Sequence, residues 1–180
     1  MSTTKVAEVA PLHTTEQTLS PFARRALAVL RLAFGFVFFW AFIDKLLGLG
    51  FATKPENAWV RGGNPTLGYL TNSPSGPFKG FYNSIAGAGW VNVLFMVGLL
   101  AIGVALLLGI GLRIAAVAGA LLYVMMWTVA LPPVTNPFLD THLLGAISLV
   151  VLAATDAGLT WGLSKQWRSI DFVAKHPVLW

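Results

Sequence analysis

Five ionisable side chains fall within or beside long apolar stretches: Arg31, Asp44, Lys45, Asp140 and His142. A charge in hydrocarbon is costly, so such residues mark a ligand or catalytic site, a pathway or a structural pair. Asp44 and Lys45 place a carboxylate beside an ammonium, and Asp140 and His142 place a carboxylate two residues from an imidazole. Depth along the helices decides whether the two groups meet. Asp44 stands about 27 Å beyond Ala26 at 1.5 Å per residue, near the outer end of a first span. Asp140 and His142 open a span that returns from the same side. If the first and last spans are neighbours, Asp44, Lys45, Asp140 and His142 share one outer layer, where they form the candidate catalytic site.

Helix geometry limits which groups face one another. Adjacent Asp44 and Lys45 diverge by about 100°, whereas Trp40, one turn before Asp44, shares its face. Asp140 and His142 are similarly splayed, so that one serves a pocket while the other caps the helix start. A structural alternative stands beside the site: Asp140 as a partner of the helix dipole and Lys45 as a snorkelling anchor. Arg31 and Asp156 lie at matching depths near the inner end and read as a salt bridge fastening the first span to the last. Tyr123 and Trp127 share a face of the third span. With Trp40 they belong either to core and interfacial belt or to the wall of a site where a flat ring, such as a quinone, could stack.

Those side chains need a scaffold, and composition states which. The chain has 180 residues, of which 56% are hydrophobic and 11% charged, against roughly a quarter charged in soluble domains. Its mean hydropathy is +0.72. The net charge of +5 sits at span ends and in loops, so it speaks for orientation in a bilayer rather than for nucleic acid. Four segments reach the ~20 apolar residues a crossing needs: about 26–48, 90–108, 114–131 and 138–158. Gly109, Gly111 and Arg113 mark a tight turn between the second and third, and Pro132, Pro133 and Pro137 break the chain before the fourth. The expected architecture is an all-α membrane protein: a four-transmembrane-helix bundle over residues 21–163 with a long, partly helical outer loop over 49–89.

In that loop Thr53 and Glu56 have capping-box spacing for a short helix through Trp59 and Val60. Phe78, Phe81, Tyr82 and Ile85 have the spacing of a second, amphipathic helix. Residues 1–20 read as a disordered cytoplasmic tail, with Ser20 and Pro21 as cap and first turn of the first span. Residues 164–180, where Trp167, Ile170 and Phe172 interleave with Lys165 and Arg168, read as an interfacial tail. Seven Lys and Arg residues on the side of the N-terminus against three on the other (Lys54, Arg61, Lys79) put both termini in the cytoplasm. His13 and His176 lie in the terminal segments and no cysteine is present, so no metal site is expected and haem between two histidines of one chain is excluded. No phosphate-binding or nucleophile motif occurs.

The stretch Arg31-Leu-Ala-Phe-Gly-Phe-Val-Phe-Phe-Trp-Ala-Phe-Ile-Asp44-Lys45, with Leu106-Leu-Leu-Gly-Ile-Gly-Leu-Arg113 and Asp140-Thr-His142, resembles the DoxX/DoxD family of four-helix membrane proteins. The resemblance covers residues 24 to 165. It implies a protein of a prokaryotic plasma membrane, similar to the membrane subunit of thiosulfate:quinone oxidoreductase. Such a subunit takes electrons from a sulfur oxyanion and passes them to a membrane quinone, which is its substrate or bound acceptor. On that reading Asp44, Lys45, Asp140 and His142 carry the chemistry, and Arg61 and Lys79 help Lys45 attract the oxyanion. The resemblance also implies a second redox subunit, and a homo-oligomer is open. Two other readings use the same polar layer: a non-catalytic membrane anchor or assembly subunit, and a small transporter.

Overall fold

The computed structural model describes residues 19–134 and 136–180; the expected disordered tail falls, up to residue 18, outside the described residues. Described residues form helices and turns with no strand. Eight α-helices run in order: α1 Pro21–Leu47, α2 Leu67–Asn72, α3 Lys79–Ile85, α4 Gly89–Leu108, α5 Leu112–Val129, α6 Thr141–Ala154, α7 Ser164–Arg168 and α8 Asp171–Ala174. The start of α1 is fixed as the sequence suggests: Pro21 needs no amide partner, and the Ser20 hydroxyl accepts from the Ala23 amide at 3.2 Å.

Helices α1, α4, α5 and α6 pack into one body in which α1 lies along α4, and α5 along α6. Both pairs are antiparallel, and glycines set the first of them. A Cβ on Gly35 would stand 2.8 Å from the Leu107 amide nitrogen, and one on Gly103 would stand 2.7 Å from that of Phe39. Only a hydrogen at each position lets the two backbones approach this closely. In the second pair Gly119 meets Leu149 and Gly145 meets Tyr123. Phe38, Met96, Ile102, Leu106 and Leu149 fill the space between the pairs. The contact between α4 and α5 is slighter, and that between α1 and α6 slighter again.

The outward faces are apolar as well. Val29, Phe36 and Val37 of α1, Leu94 and Val97 of α4, Val117 and Leu121 of α5, and Leu144 and Ile147 of α6 are all exposed. Water-soluble monomers rarely carry apolar surface of that extent. Helices α1, α4 and α5 are long and apolar enough to cross a membrane. The fourth helix is a correction: expected over 138–158, it spans 14 residues, about 21 Å, because Asp140 caps its start and the chain leaves helical geometry after Ala154.

Other expectations shift locally. Thr53 makes no cap; two single 3-10 turns, Pro55–Asn57 and Trp59–Arg61, replace the expected helix. The aromatic repeat does form α3, led in by a 3-10 turn over Gly76–Phe78, and α2 adds a helix that no periodicity announced. The loop is a folded cap held at both edges. The Thr66 amide and hydroxyl donate to Asn92 Oδ1 at 3.1 and 2.7 Å, and the Tyr82 hydroxyl bonds Thr128 Oγ1 at 2.5 Å.

The expected Arg31–Asp156 bridge is absent. Asp156 follows α6 with a left-handed φ of 49° and pairs with Arg168 at 2.5 Å. Arg31, fully buried, donates instead to the carbonyls of Leu106, Leu107, Thr160 and Trp161. It thereby closes the carbonyl end of α4 and ties it to the turn after α6, where a cation also suits the helix dipole. Replacing Arg31 with Leu strands these carbonyls in a dry interior and is expected to destabilise the fold by about 3 kcal/mol. Thermal unfolding in detergent, against wild type, checks it; an unchanged midpoint would remove Arg31 from the frame.

Candidate functional site

The slighter contact between α4 and α5 leaves a space. A cavity of about 1200 Å³ lies between these helices and the cap, larger than the roughly 300–1,000 Å³ of ordinary small-molecule pockets. Its cap end is polar, with Thr53, Asn57, Asn64, Thr66 and Tyr69. Its walls along the helices are apolar, with Trp90, Leu94, Phe95, Ile102, Leu121 and Met126. Among the described residues that line it, Lys45 is the one that carries a charge. Trp90, Leu94 and Leu121 are also about two-thirds exposed on the outer surface (63%, 66% and 60%), so the cavity opens sideways, between α4 and α5.

The four residues expected to form one site are divided. Asp44 is buried, and its carboxylate accepts from the Phe51 amide at 3.3 Å and the Ala52 amide at 3.0 Å. It closes the turn that carries the chain from α1 into the cap. Lys45, about 100° further round the helix, lines the cavity. Asp140 and His142 do come together, and closely: one carboxylate oxygen accepts the amides of His142 and Leu143 at 3.0 Å each, while the other meets His142 Nδ1 at 2.6 Å. The expected splay fails because Asp140 precedes the helix in extended geometry, with φ −136° and ψ −175°, from which both oxygens turn back over the first turn. His142 sits 6.2 Å from the Tyr123 ring. No hydrogen bond or ion pair among the described residues joins Asp140 or His142 to Asp44 or Lys45, and neither lines the cavity.

The remaining candidates serve the frame. Tyr123 packs edge-on against Phe34 and Phe38 in the core. Trp127 donates its indole N–H to the Phe138 carbonyl at 3.2 Å, tying α5 to the segment that precedes α6. Trp40 stacks on Phe36 and meets Phe51 edge-on. Arg61 is exposed and donates to the Pro55 carbonyl at 3.3 Å, and Lys79 is exposed on the cap. Sequence reasoning missed Tyr69, Tyr82, Asn64 and Gly98 as neighbours of the cavity. Asn64 and Tyr82 had a readable signal, a polar or phenolic group among the turn and helix residues of the cap; Gly98 had none. Partial burial, then the nearness of Tyr82 and Asp140, holds the Tyr69 phenol above its ordinary pKa, so it stays a neutral hydrogen-bond donor at the cap end.

A scan of family models, a search of curated proteins and a search of solved structures found no match to this chain.

The Asp140 cap yields a direct test. Asp140→Ala removes the acceptor of two amides and is expected to cost about 1 kcal/mol, while Asp140→Asn keeps most of that stability. Thermal midpoints of the two variants, measured side by side, check the assignment; equal losses would show that the carboxylate charge, rather than the cap, holds the helix start.

Proposed function

We propose that this chain is an integral membrane protein, a bundle of four transmembrane helices, that seats a membrane quinone in the cavity beneath its cap. It serves as the quinone-side subunit of an oxidoreductase acting on a small sulfur oxyanion such as thiosulfate. The observation that carries the reading is the cavity itself: a wide, sideways-opening space with apolar and aromatic walls and its hydrogen-bond donors gathered at one end. A quinone matches that division, since its ring stacks on aromatic faces and its carbonyls accept hydrogen bonds. The resemblance of the Arg31–Lys45 stretch and of the Asp140-Thr-His142 triplet to the DoxX/DoxD family supports the redox role. The apolar outer face of α6 supports its place as a fourth, short crossing. Arg24, Arg25, Arg113, Lys165, Arg168 and Lys175 against Lys54, Arg61 and Lys79 support a cytoplasmic position for both termini and an outward-facing cap in a prokaryotic plasma membrane.

In this mechanism Lys45 and the amides and hydroxyls of the cap end hold the quinone carbonyls. Two thiosulfate ions join through a new sulfur–sulfur bond and release two electrons, and the quinone takes up those electrons with two protons. A second subunit contributes the oxyanion side.

A second reading is favoured by a separate observation. The carboxylates of Asp44 and Asp140 are spent on backbone amides, the arrangement of a protein whose polar groups hold its shape. On that reading the chain anchors or assembles a redox complex, or passes a small molecule, without chemistry of its own.

The test is reduction of a soluble quinone analogue by thiosulfate, with purified protein in lipid nanodiscs. Turnover with tetrathionate as product supports the enzyme; quinone binding without turnover under any sulfur donor supports the anchor. Lys45→Met is expected to weaken quinone binding about tenfold, the worth of one charge-assisted hydrogen bond. Titration of intrinsic fluorescence measures it, and unchanged affinity would remove Lys45 from the head-group site.

A further inference from the structure

We infer that the cavity takes a long-tailed membrane amphiphile sideways from the bilayer. Its hydrogen-bond-accepting head lies at Lys45, its hydrocarbon tail lies between α4 and α5, and Gly98 sets the room for that tail. This rests on the cavity being a ligand seat, as proposed above, but it adds the seat of the tail and the residue that sizes it.

Length is the first argument. The lining runs from the cap past Gly98 to Ile102 on α4 and to Ala118 on α5. From Trp90 to Ile102 is about 18 Å along the axis, more than half of a ~30 Å hydrocarbon core. A head group alone leaves most of that depth empty, and an empty apolar space open to lipid will be filled by a chain. Charge is the second argument. Among the described residues Lys45 is the single charged one on the lining, its neighbour Asp44 is held by the backbone amides of Phe51 and Ala52, and the amide and hydroxyl groups of Asn57 and Thr53 gather at the same end. The site is thus complementary to an acceptor-rich head at the cap and to hydrocarbon elsewhere. The third argument is Gly98. Unlike Gly35 and Gly103, which hold helices together, it has nothing within 4 Å of where a Cβ would stand. No packing contact requires a glycine there, and glycine in a helix interior carries a cost relative to alanine. Its absent side chain is space on the cavity wall.

Gly98→Phe therefore starts a bulky side chain in open space on the cavity wall, and Ala101→Phe, on the exposed face of the same helix, serves as the matched control. Binding of three probes is measured in nanodiscs for each form: a tail-less quinone, a decyl-tailed quinone and a spin-labelled long-chain fatty acid. Comparing variants at a fixed probe cancels partition into the lipid. Gly98→Phe is expected to bind the decyl quinone about tenfold more weakly than wild type and Ala101→Phe do, and to bind the tail-less quinone unchanged. An equal thermal midpoint shows that the variant folds. If neither quinone binds wild type but the fatty acid does, and Gly98→Phe loses it, the quinone reading falls and the lateral site stands. If quinones bind all forms alike whatever their tails, the quinone reading stands and this inference is overturned. If Gly98→Phe unfolds, Gly98→Leu takes its place in the same comparison; tail-bearing probes that bind it as they bind wild type overturn the inference.

Discussion

A guanidinium sealed inside this protein can persist only if its charge is met, and the way it is met organises the end of the bundle away from the cap. Arg31 is 0% exposed and pairs with no carboxylate among the described residues; it draws on carbonyls from the last turn of α4 and from the turn beyond α6. Those carbonyls are the orphans every helix end and tight turn produces. One side chain of α1 thus settles acceptors from two other parts of the chain, and α1, α4 and the segment after α6 cannot separate without leaving a buried cation and several acceptors unpaired. With Arg31 occupied in this way, Asp156 is free to pair with Arg168. Arg113 and Arg168 both lie over the Trp180 ring, which carries the short helices α7 and α8 onto the same end.

Once that end is fixed, the looseness at the other follows. Gly35 and Gly103 draw α1 tightly to α4, and Gly119 and Gly145 draw α5 to α6, but α4 and α5, joined by the three-residue turn 109–111, meet over a slighter contact. Toward the cap, residues of both helices line the cavity. The cap spans the gap, fastened to one rim by Thr66 on Asn92 and to the other by Tyr82 on Thr128 and by Ser75 on the Val129 and Leu131 carbonyls. The cavity is a consequence of uneven helix packing, with a roof fastened to both walls.

How much of this could be read in advance depended on whether the signal was local. Spans α1, α4 and α5 follow from runs of apolar residues, the Gly109–Gly111 turn and the Ser20-Pro21 start, all of which act over a few residues. Helix α3 follows from the spacing of Phe78, Phe81, Tyr82 and Ile85. The pairing of Arg31 does not, since depth matching supplied Asp156 and only the tertiary course of the chain supplies backbone carbonyls. Helix α6 ends before the expected Gly158 because its apolar run stops at Ala154, and Thr155 and the left-handed Asp156 turn the chain into the 3-10 turn Ala157–Leu159. The places of Asp44, Lys45, Asp140 and His142 near helix ends were legible. Which of them would face one another was not, because Asp140 lies outside helical geometry, where the 100° rule has no force.

Lys45 and Asp44 show how one sequence feature divides into two physical roles. Consecutive residues on a helix cannot share a direction, so a carboxylate and an ammonium placed side by side at a helix end must serve different surroundings. The carboxylate turns to the amides of Phe51 and Ala52, which would otherwise be donors without partners where the chain leaves α1. That engagement both fixes the path into the cap and keeps the acid off the cavity lining. The ammonium is left as the single charge on an otherwise neutral wall. Had the two residues been exchanged, the cavity would present an acid to its ligand and the turn would lose its acceptor. Order along the helix, more than composition, decides that this site is complementary to a head group that accepts hydrogen bonds.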